Sequence, residues 1–160
     1  MSEKPYRKNV GVVVFNARGQ VLVGERLNYR DVFQFPQGGL DAGEQPEVAA
    51  RRELYEETGL ELDGPPVFEI EQWLRYDFPP DIPKKLKKYR GQEQKWFFYF
   101  WDGTVDELNL DVHEREFESV RWDDFTEIVE KIVEFKRPVY REVLRLGQPA
   151  ITAHLAGRAG

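Results

Sequence analysis

Three glutamates, Glu53, Glu56 and Glu57, crowd one short stretch of this 160-residue chain, inside a segment with helical start and stop signals. Pro46 suits the first turn of a helix and Gly59 suits the left-handed residue just past its end, so a helix is expected over residues 46–58. At about 100° per residue the three carboxylates fall within roughly a 100° arc of that helix. Like charges spaced i,i+3 and i,i+4 repel one another, which a purely structural helix avoids. Pairing with Arg51 and Arg52 on a solvated face is the plainer explanation of such a run. The preceding segment argues for more. Residues 38–44 read Gly-Gly-Leu-Asp-Ala-Gly-Glu, a loop whose glycines permit positive φ and close approach of backbone to another group.

Ionised carboxylates offer only hard oxygen donors. The chain has no cysteine and only two histidines, His113 and His154, both far from the cluster. Mg²⁺ or Mn²⁺ therefore fits better than zinc. The net charge of −6 argues against a protein that coats nucleic acid through a broad basic surface. It does not exclude gripping one phosphorylated end, because cations held by the glutamates turn an acidic site into an anion site.

Length and an apolar content of 41%, with 14% aromatic, suit a single domain with a full core over residues 1–160. Residues 1–5 and 156–160 read as flexible ends. The start, MSEKPYRKNV, has no signal-peptide core, and no run approaches a membrane span. A cytoplasmic protein with no membrane partner is expected. Residues 10–15 and 20–23 read as a hairpin around Asn16-Ala17-Arg18-Gly19. Strands are expected over 32–36, 67–78, 96–101 and 117–122. Asp123 or Asp124 is placed to cap a helix running through Ile128 and Ile132, and a last helix is expected over about 138–146. Strands outnumber helices, which predicts an α/β or α+β sandwich.

Gly38, Glu44 and the run Arg52-Glu53-Leu54-Tyr55-Glu56-Glu57-Thr58-Gly59-Leu60 together resemble the Nudix box, with every defining position matched. The resemblance implies an α/β/α sandwich with a mixed β-sheet, and hydrolysis of a nucleoside diphosphate linked to another moiety. Segments outside the box extend it from about residue 6 to 145. Tyr6 to Gly11, Phe33 to Gly39, Trp73 to Tyr76, Gly91 to Phe97 and Phe135 to Tyr140 resemble bacterial RNA pyrophosphohydrolases, a signature shared with dinucleoside polyphosphate hydrolases. Relatives commonly have Trp at the place of Phe33 and often Lys at that of Glu93.

The resemblance implies removal of pyrophosphate from 5′-triphosphorylated RNA, leaving a 5′-monophosphate and initiating RNA decay. Carried over by matching position, Gly38, Glu53, Glu56, Glu57 and Glu116 form the metal set, for more than one Mg²⁺ or Mn²⁺ ion. Glu56 either binds metal or accepts the proton of the attacking water. Arg52 joins the catalytic group as a residue that holds the glutamates in place. Arg7, Arg26, Gln37, Tyr76, Gln94, Lys95, Phe135 and Lys136 are the candidate substrate contacts, with Phe135 and Arg26 able to sandwich a base. The basic run Lys84, Lys85, Lys87, Lys88 and Arg90 is read mainly as a solvated loop. Two other readings stay open: hydrolysis of diadenosine polyphosphates by the same glutamates, and a non-catalytic nucleotide sensor on the same fold.

Overall fold

A computed structural model of the chain describes residues 4–159. Its centre is the pair β1 (Tyr6–Phe15) and β7 (Gly91–Phe100), which run parallel with Tyr6 opposite Gly91 and Phe15 opposite Phe100. The remaining strands are β2 (Val21–Arg26), β3 (Phe33–Gln34), β4 (Gln37–Gly39), β5 (Phe68–Glu69), β6 (Leu74–Asp77) and β8 (Phe117–Asp123). They join β1, β7 or one another antiparallel, giving the mixed eight-stranded sheet expected.

Strand alternation sorts side chains to two faces. On one, Val10, Val12, Val14, Phe97 and Tyr99 pack against Ala49, Ala50 and Leu54 of α1 (Pro46–Thr58). On the other, Val13, Phe15, Trp96 and Phe98 meet Phe125 and Ile128 of α2 (Phe125–Val129), and Tyr140, Val143 and Ile151 of α3 (Arg137–Ala159). The three layers form the α/β/α sandwich. α1 occupies the expected residues and ends on Gly59, whose φ of 76° lets its N–H reach the Tyr55 carbonyl at 2.8 Å.

Four expectations are corrected. The single strand over 67–78 is two, because residues 70–73 stand opposite only Lys95 and Trp96 and bulge away from β7. The strand over 32–36 is β3, and Gly38 and Gly39 belong to β4, paired with Val10 and Asn9 of β1 rather than to a loop. The Asp124-capped helix stops at Val129, before Ile132. The last helix runs to Ala159, through Gly147 and Pro149, instead of ending near 146 and fraying. A Cβ on Gly147 would lie 2.0 Å from Cζ of Phe98, so glycine is there for close helix-to-sheet packing, and His154 and Arg158 continue that packing onto Phe100. At the other end Pro5 is tied in by the Arg90 N–H; residues 1–3 and 160 lie outside the described residues.

Candidate active site

The row of β1 and β7 side chains that forms the α3-side core turns polar toward one end of the sheet: Arg7 and Asn9 precede Gly11, and Gln92 and Gln94 precede Trp96. A cleft of about 350 Å³ opens over that end. Arg7, Arg26, Gln37 and Lys136 give it polar walls, and Tyr76, Phe78, Leu86 and Phe135 apolar ones.

On one side of the cleft stands the acidic face of α1. Glu57 is 3% exposed and accepts the Gln37 N–H at 3.0 Å. Burial pushes its carboxyl well above the usual carboxylate range; Glu53 and Glu116 add to the rise, and the Gln37 N–H opposes it. Glu53 is also raised, by burial first, despite Arg52 beside it. Arg52 donates to Glu44 at 2.8 and 2.9 Å, to Glu53 at 2.8 Å, to Glu56 at 3.1 Å and to the Gly39 carbonyl at 3.0 Å. It holds three carboxylates to the glycine strand but makes no ion pair with Glu57, which acts instead on the Lys136 ammonium. Gly38 leaves room for the Glu53 carboxylate, since a Cβ there would lie 2.0 Å from its Cδ and push it aside.

Glu53, Glu57 and Glu116 border both the cleft and a second hollow of about 340 Å³, shared with Asp41, Glu56, His113 and Glu114. Among the described residues no three acidic or histidine side chains already form a closed cation cage. The donor set is nevertheless all hard oxygen apart from one rim histidine, and Glu57 is a buried acid whose neighbours raise the cost of its charge. Such a set fits divalent cations that draw the carboxylates together on binding.

Residues 5–143 of the chain match the model of the NUDIX domain. The chain belongs to the Nudix family. This Nudix chain is 46% identical over 155 residues to the RNA pyrophosphohydrolase of Roseobacter denitrificans, covering 94% of each chain. It is 44% identical to the RNA pyrophosphohydrolase of Rhodospirillum rubrum, covering 88% of this chain and 86% of that one. Its fold is similar to that of the MutT protein of Methanosarcina mazei, with a TM-score of 0.65 at 19% identity, covering 92% of this chain and 99% of the other.

Most of the residues expected at the site come together. Arg7, Arg26, Gln37, Tyr76, Phe135 and Lys136 all border the cleft with Gly38, Glu53, Glu57 and Glu116. Two do not. Lys95 lies on the opposite face of β7 from Gln94, where the Glu71 carbonyl takes its Nζ at 2.6 Å and Glu69 pairs with it at 3.2 Å. Gln94 is fully buried beneath the cleft, bonded to Asn9 and Gln37. Arg26 stacks on Tyr29 at 4.6 Å, and Phe135 packs on Tyr76 at 5.6 Å. Sequence reading missed Asn9, Gln34 and Gln92 at the cleft, and Glu44 as the main partner of Arg52. The strand alternation of β7 could have found Gln92, two residues before Gln94. In the 3₁₀ turn Lys84–Leu86 the lysines face solvent while Leu86 lines the cleft.

Proposed function

We propose that this Nudix chain is a divalent-metal-dependent RNA 5′ pyrophosphohydrolase. The observation that carries the reading is that one cleft joins the acidic face around buried Glu57 to Arg7, Arg26 and Lys136 and to the Phe135 ring. Acids with cations suit an oligophosphate, and a guanidinium near an aromatic ring suits a base attached to it. The names of the relatives at 46% and 44% identity support the same substrate.

Glu53, Glu56, Glu57 and Glu116, with the Gly38 carbonyl, would hold Mg²⁺ or Mn²⁺, more than one ion per site. Bound there, the ions polarise the phosphate and lower the pKa of the attacking water. Arg52 orients Glu53 and Glu56 from behind through ion pairs at 2.8 and 3.1 Å. Glu56 either shares in holding metal or accepts the proton released as the water oxygen bonds to phosphorus. Arg7 and Lys136 offset the charge on the phosphate tail. The bridging P–O bond breaks, pyrophosphate leaves, and the RNA keeps a 5′-monophosphate. No described helix is long and apolar enough to cross a membrane, and we place the enzyme in the cytoplasm, where such transcripts are made.

Side-by-side hydrolysis of 5′-triphosphorylated RNA, diadenosine tetraphosphate and GTP tests the proposal. The kcat/KM for RNA should lead by at least about tenfold. A lead for diadenosine tetraphosphate would replace the reading, and no hydrolysis of any of the three would leave only a nucleotide-binding domain.

A further inference from the structure

Beneath the cleft lies a polar network inside the fold. Asn9, Gln92 and Gln94 are 1%, 5% and 0% exposed. Arg7 donates from Nη1 to Gln92 Oε1 at 2.8 Å, and Asn9 Nδ2 donates to the same oxygen at 3.1 Å. Gln92 Nε2 in turn donates to the Tyr76 hydroxyl. Gln94 Nε2 donates to Asn9 Oδ1 at 2.9 Å and to Gln37 Oε1 at 3.3 Å. Gln37 Oε1 also accepts from the Tyr140 hydroxyl at 3.4 Å.

Amide side chains can face either way, but this network has fixed ends. A guanidinium only donates, so the group facing Arg7 must be the oxygen of Gln92. That oxygen then fixes the Asn9 amide, which presents Nδ2 to it and Oδ1 to Gln94. At the far end Tyr140 accepts the Phe35 N–H at 3.3 Å, which leaves its own proton for Gln37 Oε1. The cost of this order is visible: Gln94 Oε1 is buried with no partner. Turning Gln94 over would put that oxygen against the oxygens of Asn9 and Gln37, which is worse.

Two groups at the cleft inherit the direction. Tyr76 accepts from Gln92, and no acceptor among the described residues takes its proton. Burial pushes the hydroxyl up to about 12, so it stays protonated. Gln37 has its oxygen occupied twice over, so its Nε2 is the end left over. Both residues border the cleft. We propose that Asn9, Gln92 and Gln94 are positioning residues that lock Tyr76 and Gln37 as donors toward the cleft, making its floor a neutral wall selective for an acceptor-only oligophosphate tail. The inference rests on the functional reading above. With the opposite direction, oxygen lone pairs would face phosphate oxygens.

A double-mutant cycle tests the relay. Gln92→Glu keeps an acceptor for Arg7 and Asn9 but cannot donate to Tyr76, so the hydroxyl turns inward to the new carboxylate. With triphosphorylated dinucleotide, Tyr76→Phe and Gln92→Glu should each raise KM about five- to tenfold with kcat nearly unchanged. The double variant should be no worse than either single one. If Gln92→Glu acted only by adding negative charge or disturbing the fold, its penalty would persist undiminished in the Tyr76→Phe background, and that result overturns the relay. Should Gln92→Glu fail to fold, Gln92→Met closes the cycle: it also releases Arg7 and Asn9, so only the part of its penalty that disappears in the Tyr76→Phe background belongs to the hydroxyl, and a penalty undiminished there overturns the relay. A parent protein inactive on triphosphorylated RNA sinks the functional reading, whereas an active parent with additive variants sinks only the relay.

Discussion

The backbone N–H of Gln37 lies 3.0 Å from Oε2 of Glu57, and this bond fastens β4 to α1 at the mouth of the cleft. Among the described residues it is the one hydrogen bond to an acid that burial first, and Glu53 and Glu116 after it, disfavour in ionised form. A single neutral hydrogen bond contributes roughly 1 kcal/mol net, less than desolvating a carboxylate costs. The fold therefore holds Glu57 at the expense of its own stability, which a cation would offset.

This trade predicts opposite effects of one substitution. Glu57→Gln should lower turnover by about 10²- to 10³-fold, the scale of losing one preorganised electrostatic contributor. The same variant, stripped of metal, should melt at a higher temperature than the parent. Glu53→Gln should show a comparable loss of turnover. Steady-state rates with Mg²⁺ and melting curves in chelator check this; parental activity in either variant would remove the role assigned to these acids.

Gly38 is expected to tolerate no side chain. The methyl of Gly38→Ala would displace the Glu53 carboxylate, whose Cδ is 2.0 Å from where that methyl must sit. Misplacing a reacting group by about 1 Å costs on the order of 10²-fold in rate, so kcat should fall by that factor while the protein stays folded. Single-turnover rates beside a circular-dichroism spectrum decide it, and an unchanged kcat would mean that Glu53 is free to move.

The features legible in sequence were the local ones. The α1 boundaries and its three acids follow from residue spacing and from Pro46 and Gly59, all within one helix. The floor of the cleft needed pairing across the chain: Asn9 meets Gln92 from 83 residues away, through the parallel register of β1 and β7. Lys95 read as a substrate contact from the family-like segment Gly91 to Phe97, yet a strand sends adjacent side chains to opposite faces, and Lys95 points away from the side that Gln94 faces. The length of α3 was hidden because Gly147 and Pro149 argue locally for a stop, and packing on Phe98 and Phe100 overrides them. Glu116, just before β8, was reachable only through family resemblance.

Phe135 should separate RNA from mononucleotide substrates. Its ring borders the cleft beside Tyr76, and Arg26 lines the same cleft. Stacking contributes about 1 to 3 kcal/mol per base, so Phe135→Ala should lower kcat/KM for triphosphorylated RNA by roughly ten- to hundredfold. GTP, which has no downstream nucleotide, should lose much less. Equal losses on the two substrates would assign Phe135 to packing alone.

Lys136 links the cleft to pH. Burial, with Arg26 nearby, lowers its ammonium from 10.5 to about 8, while Glu57 pulls the other way. A lysine with a depressed folded-state pKa burdens the fold while it is charged in both states. Between about 8 and 10.5 the unfolded chain binds more protons than the folded one, so stability rises with pH across that window. Lys136→Met should therefore melt above the parent at neutral pH, and its advantage should shrink as pH climbs through the window. Substrate binding should move in the opposite sense, because the parent loses a cation from the phosphate side of the cleft as pH passes about 8. Its KM for triphosphorylated RNA should climb there, while that of Lys136→Met starts high and stays flat. Melting curves and KM values for both proteins, taken in parallel from about pH 7 to 9.5, give the comparison. A melting gap that holds constant over that range would mean that the ammonium is not held at a cost.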